Sequence, residues 1–178
     1  MGSGHCSFVC WPPSPPLPSP FLPFPPPLLA RSPLFAGLPR RLLGRLGTRF
    51  LEKAYHPGEI VFQEGDPGRA LFVVAEGKVE ITQATTQGEY VLRTLGPGDA
   101  FGELALIDDF PRSASARVAA PAQLLILYKT DFDALMDGNA QITNMVMRNL
   151  AHLLAVYARR TPVVVTDSGS HTETVGSE

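Results

Sequence analysis

Between Lys53 and Tyr128 the chain breaks into short apolar, β-branched runs punctuated by glycine and proline, and that pattern leaves few folds open. GEIVFQ is followed by EGDPG, LFVVA by EGK, VEITQ by a polar turn and YVLRTL by GPGD; SARVAA and QLLILY come later. Val, Ile, Phe and Tyr suit the pleated surface of a strand, while each Gly or Pro cluster is read as a reversal of the chain. Strands this short, with turns this close, predict a mainly β domain with flanking helices, its strands forming an antiparallel jelly roll or barrel over residues 53–128.

The flanks read as helical. Pro39 suits a first turn, and Leu42, Leu43, Leu46, Phe50 and Leu51 share one face, which predicts a helix over 39–52, weakened by Gly44 and Gly47. Thr130 is the expected cap of helices over 130–160, with Asp133 three residues on. Ile142, Met145, Val146, Leu150, Leu153, Leu154 and Tyr157 recur at intervals of three and four, the mark of a long C-terminal amphipathic helix closed by Arg159, Arg160 and Pro162.

A chain of 178 residues is long enough for one such domain, and its expected limits are 33–161. Twelve of the 18 prolines fall before Arg40, so residues 1–32 are expected to be an extended, largely disordered tail with polyproline II character. Such a tail fits an aromatic-lined groove in a partner, but an unselected leader is the preferred reading. Residues 162–178 are likewise expected to be disordered. There are 15 Lys and Arg against 17 Asp and Glu, which predicts no broad basic face and no duplex nucleic-acid partner. Cys6 and Cys10, even with His5, are an incomplete metal set, so no metal is expected. The expected folded part carries no cysteine, which fits a reducing compartment. No apolar run is long enough to span a membrane and no basic-then-apolar leader opens the chain, so cytoplasm is the expected location.

One stretch does not read as another strand: FGELALIDDFPRSASARV, Phe101 to Val118. A Gly opening a short helical piece exposes several backbone N–H groups, which with the local dipole favour an anion. Arg112 adds a planar, permanently charged fork for phosphate oxygens. Glu103 accepts but does not donate, and a phosphate would repel it; a sugar hydroxyl suits it better. No Walker-type Gly-Lys loop accompanies them, so a nucleotide monophosphate that is bound and not cleaved fits best. A Glu and an Arg nine positions apart also fit a plain surface ion pair, and spacing alone leaves both readings standing.

The segment resembles the phosphate-binding cassette of the cyclic nucleotide-binding domain family, which includes catabolite activators and protein-kinase regulatory subunits. Its pattern is roughly Phe-Gly-Glu-(Leu/Ile)-(Ala/Ser)-Leu, a variable stretch, then Pro-Arg-small-Ala-(Thr/Ser). Phe101 to Leu106 and Pro111 to Ser115 match it. HPGEIVFQEGDPGRALFVVAEGKVEI resembles the family's opening strands, LGPGDAFGE its approach to the cassette, and SPLFAGLPRRLLGRL its N-terminal helical element, so the likeness runs from about Ser32 to Arg160. It implies a β roll of the double-stranded β-helix kind that binds cyclic nucleotide and does no chemistry on it.

Residue by residue, the resemblance implies that Glu103 accepts from the ribose 2′-hydroxyl and that the Gly102 backbone lies close to sugar and phosphate. It implies that Arg112 pairs with the exocyclic phosphate oxygens. The N–H groups of Leu104, Ala105 and Ser113 or Ala114 would complete the cradle. Ser113 stands where cyclic GMP binders often carry Thr, and the family analogy favours cyclic AMP over cyclic GMP. The C-terminal helix is expected to cover the base or to form a homodimer seam, passing the signal to an effector protein or fused domain. Asn144 and Asn149 are candidates for contact with a base or a partner. Bacterial activators continue into a helix-turn-helix domain; none follows Arg160, so direct DNA binding is not expected. Two rival readings are a ligand-free relative serving as an interaction module, and a cupin-like metalloenzyme. The latter is disfavoured because the strands lack His pairs with metal-ligand spacing.

Overall fold

The computed structural model describes residues 26–86, 88–108 and 110–160. The chain enters through α1 (Pro26–Arg31), a 3-10 turn at Pro33–Phe35, and α2 (Arg40–Gly47). Six strands follow: β1 (Leu51–Tyr55), β2 (Ile60–Phe62), β3 (Ala70–Thr85), β4 (Gly88–Leu95), β5 (Ala100–Phe101) and β6 (Ser115–Tyr128). A second 3-10 turn, Glu103–Leu106, lies between β5 and β6, and α3 (Lys129–Asp137) and α4 (Ala140–Arg160) complete the fold. All pairings are antiparallel, in the order β1-β6-β3-β4, with β2 on β6 and β5 on β3. This is the expected antiparallel β architecture with flanking helices.

Two strands are longer than the sequence predicts. LFVVA and VEITQ are one strand, β3, and SARVAA and QLLILY are one strand, β6. The EGK step between the first pair is not a reversal. Gly77 sits there at φ +86°, the β3–β6 register slips around it, and a Cβ would collide with the Pro121 carbonyl oxygen and the Ala122 backbone. A bulge of this kind bends two paired strands together and keeps their ladder, so the Gly makes a corner of the roll.

Successive residues of β3 face two different cores. Leu71 and Val73 pack with Leu125, Leu127 and the helical residues Leu34, Phe35, Leu46, Phe132 and Ile142. Phe72 and Val74 pack inside the roll with Val79, Leu95, Phe101, Val118 and Leu124. Burial on both faces is why this stretch is apolar without alternation.

The helices differ from expectation at their ends. The helix predicted over 39–52 stops at Gly47, with Pro39 as its N-cap. Leu51 is 57% exposed and opens β1 opposite Ile126, while Phe50 meets the Phe35 ring edge-on at 6.0 Å. Pairing of β1 with β6 outweighs a helical turn already weakened by glycine. Part of the predicted tail is ordered: α1 falls within it, and Leu29 and Ser32 are fully buried. Thr130 does not cap. α3 begins at Lys129, directly after β6, with Tyr128 as an N-cap that makes no side-chain bond. The side-chain cap stands at the next helix, where Asn139 Oδ1 accepts from the N–H groups of Gln141 and Ile142, both at 3.1 Å. The rest of the predicted tails, residues 1–25 and 162–178, lies outside the described residues, as do Thr161, Cys6, Cys10 and His5. Among the described residues no helix is long and apolar enough to cross a membrane.

Candidate functional site

The site begins at Gly102. Its φ of +74° and ψ of 18° are left-handed, and they turn the chain out of β5 into the 3-10 turn at Glu103–Leu106. A Cβ here would lie 2.6 Å from Arg112 Nη1 and 3.3 Å from the Ala70 carbonyl oxygen, so glycine is required by both conformation and space.

Arg112 is held from three directions. Its backbone N–H donates to Asp66 O at 2.8 Å, its carbonyl accepts from Gly65 N at 2.9 Å, and Pro111 bridges to Pro67. Its guanidinium donates from Nη1 to Gly102 O at 3.0 Å and from Nη2 to Ala70 O at 2.7 Å. The guanidinium carbon stands 4.1 Å from the Phe62 ring centroid, and Phe62, Phe72 and Phe101 form an aromatic floor with centroids 5.2 to 5.9 Å apart. Nε is buried with no hydrogen-bond partner among the described residues. A buried donor on a permanent cation is costly unless an acceptor reaches it.

Glu103 is 7% exposed. Burial pushes its carboxyl above the usual carboxylate range, opposed by its own backbone N–H, the Arg93 charge, the Tyr157 hydroxyl and Arg112. The surface-pair reading fails: the ion pairs among the described residues are those of Arg49 and Arg117. Arg112 directs its fork to carbonyls, and among the described residues no ion pair joins it to Glu103.

Gly102, Glu103, Leu104, Ala105, Arg112, Ser113 and Ala114, all singled out from sequence, line one cavity of about 340 Å³. Ile81, Arg93 and Leu95 from β3 and β4 and Phe62 from β2 supply its other walls. The cavity therefore combines a cation with a spare donor, a buried acceptor and an apolar wall, which suits a ligand bearing phosphate, hydroxyl and a flat apolar part. Two other polar residues considered in the sequence lie elsewhere or have other duties. Asn149 donates to Leu34 O at 3.0 Å and Ala36 O at 2.9 Å, bolting α4 to the first 3-10 turn. Asn144 is exposed on α4. Arg93 and the polar role of Tyr157 escaped the sequence, because they sit 64 residues apart and neither belongs to a local motif. Among the described residues no three His, Cys, Asp or Glu side chains gather as a metal site.

Residues 52–139 match the model of the cyclic nucleotide-binding domain. The cyclic AMP receptor protein of Thermus thermophilus is 40% identical over 125 residues, 70% of this chain and 56% of that protein. The N-terminal domain of a transcriptional regulator from Streptomyces coelicolor A3(2) superposes with a TM-score of 0.68 at 32% identity, covering 76% of this chain and 97% of that one. The regulatory domain of Toxoplasma gondii PKA, solved with cAMP, superposes with a TM-score of 0.58 at 32% identity, covering 62% of this chain and 42% of that one. The chain thus spans a little over half the length of the receptor protein it matches. With the cassette geometry and these likenesses together, the chain belongs to the cyclic nucleotide-binding domain family.

Proposed function

We propose that this domain is a sensor that binds cyclic AMP in preference to cyclic GMP and passes the binding event to a partner or fused domain. The observation that carries the reading is the convergence, in one cavity, of buried Glu103 and an Arg112 whose Nε lacks a partner among the described residues. Arg112 is already pinned by two carbonyls, so its remaining donors are pre-aimed and little entropy is lost when phosphate arrives. Glu103 takes the ribose 2′-hydroxyl, and the turn opening at Gly102 presents the N–H groups of Leu104 and Ala105 to the phosphate. Ser113 and Ala114 flank the phosphate on the other side. The aromatic and aliphatic wall receives the base. Preference for cyclic AMP is supported by the Thermus relative's name, by the PKA neighbour solved with cAMP, and by Ser113 in place of Thr. The domain does no chemistry on its ligand in this reading: it is a binding module whose output is movement of α4.

Calorimetric titration with cyclic AMP and cyclic GMP tests the proposal. Saturable binding of cyclic AMP, tighter than that of cyclic GMP, is expected. Failure of both to bind at millimolar concentration would sink it, and tighter binding of cyclic GMP would overturn the ligand preference alone.

A further inference from the structure

Phe62 is the last residue of β2, and the strand is irregular where it aims that side chain. The β2–β6 register slips between Ile60 and Phe62, and a slip of this kind re-aims the residue that follows it. The Phe62 ring lines the cleft and carries the Arg112 guanidinium, whose carbon stands 4.1 Å from the ring centroid. Phe72, at 5.8 Å from the same carbon, extends the platform. The platform is braced: Phe62 meets Phe72 at 5.6 Å and Phe101 at 5.9 Å, and Phe72 stacks on Phe101 at 5.2 Å. Phe72 and Phe101 are partners across the β3–β5 ladder, so the platform belongs to the sheet.

The residues just after Phe62 hold the Arg112 backbone. Asp66 Oδ2 accepts from Gln63 N at 2.7 Å and closes a turn, Gly65 N donates to Arg112 O, and Asp66 O accepts from Arg112 N. One short run, residues 62–66, therefore grips both the main chain and the side chain of Arg112. The carbonyls of Gly102 and Ala70 take one donor each from Nη1 and Nη2, which fixes the outer edge of the guanidinium. A ring against its flat face resists tilting about that edge. An aliphatic side chain in place of Phe62 would supply apolar cover but no π face.

We infer that Phe62 is a positioning residue that sets the plane of the Arg112 fork, so that the anion-binding strength of the cleft depends on an aromatic side chain far outside the Phe101–Val118 segment. Attraction between the guanidinium and the ring quadrupole holds the fork in the free protein, and an arriving phosphate meets donors already in place. The benefit to phosphate binding rests on the reading of the cleft as a cyclic nucleotide site; the ordering of Arg112 does not.

The first measurement needs no ligand. By NMR of the full chain, isotope-labelled at arginine, the Arg112 Nε–H should exchange about tenfold more slowly than that of Arg49, an exposed arginine on the surface. In Phe62→Leu the Arg112 exchange is expected to rise by about threefold to tenfold, while Phe62→Tyr, which keeps the ring, retains the parent rate. Phe62→Met, flexible and apolar, repeats the test if Phe62→Leu does not fold. Arg112 exchanging as fast as Arg49 in the parent, or at an unchanged rate without the ring, overturns the inference.

The second measurement is calorimetry with cyclic AMP. Phe62→Leu is expected to bind about threefold to tenfold more weakly than the parent, and Phe62→Tyr within about twofold of it. In an Arg112→Lys background the same Phe62→Leu change should cost less than about twofold, because no planar fork is left to orient. An equal loss in both backgrounds means that Phe62 acts on the ligand directly, which overturns the inference and leaves the cyclic nucleotide reading intact. If cyclic AMP does not bind the parent, that reading fails, and the exchange measurement still decides the inference.

Discussion

Replacing Arg112 by Lys keeps the charge and discards the fork, which separates simple electrostatic attraction from directed hydrogen bonding. The guanidinium carries five N–H donors. Two are engaged by Gly102 O at 3.0 Å and Ala70 O at 2.7 Å, and Nε has no partner among the described residues. A lysine ammonium has three donors on one atom and cannot bridge both carbonyls while also facing a phosphate with two parallel bonds. The loss of one charge-assisted contact to the ligand is worth about 1.5–3 kcal/mol. That predicts cyclic AMP binding weaker by about 10- to 100-fold. Leaving one half-buried carbonyl unpaired should also cost about 1–3 kcal/mol of stability in the ligand-free protein. Calorimetry gives the first quantity and urea denaturation the second. Arg112→Lys binding within about threefold of the parent, at unchanged stability, would refute the claim that the Arg112 fork is pre-aimed at phosphate.

The remaining predictions concern the same turn. Burial raises the Glu103 carboxyl in the folded state, so its ionisation opposes folding: its contribution to stability is fully present below the unfolded value and is lost as pH rises through the raised folded one. Glu103→Gln is therefore expected to match the parent in stability near pH 4, to exceed it by an amount that grows towards neutral pH, and to bind cyclic AMP more weakly; a difference independent of pH would show that burial of the charge is not the cause. Gly102→Ala forces a side chain into φ +74° with its Cβ 2.6 Å from Arg112 Nη1, so thermal unfolding should show a loss of about 1–3 kcal/mol, accompanied by loss of cyclic AMP affinity. Parent-like stability and affinity would mean that the turn readily relaxes.

The cassette was legible because its chemistry is local. Gly102, Glu103, Leu104 and Ala105 are consecutive, Arg112 to Ala114 follow after one short turn, and all of them line one cavity. Residue type and order there already encode a left-handed turn, an acceptor and a fork. The apolar stripe of α4 was legible for the same reason, since Ile142, Val146 and Leu150 lie one turn apart on a single helix. Where two local preferences competed, sequence misled. Gly77 reads as a turn but serves as a bulge, because the Pro121–Ala122 stretch of β6 packs directly against it. Phe50 and Leu51 extend the periodicity of α2, yet the open edge of β6 takes Leu51 into β1.

The strand pattern between Lys53 and Tyr128 by itself determined an antiparallel β fold, and the residue types around Gly102 and Arg112 determined a left-handed turn, an acceptor and a cation that line one cavity. Both follow from backbone preference and side-chain type over a few neighbouring positions. Tertiary structure alone decided that Glu103 and Arg112 do not pair, that Arg112 rests on Phe62, and that Arg93 bonds Tyr157 in a cavity that Glu103 also lines. These contacts join residues on separate strands and helices, and their energy exists only once the roll has closed and excluded water from between them.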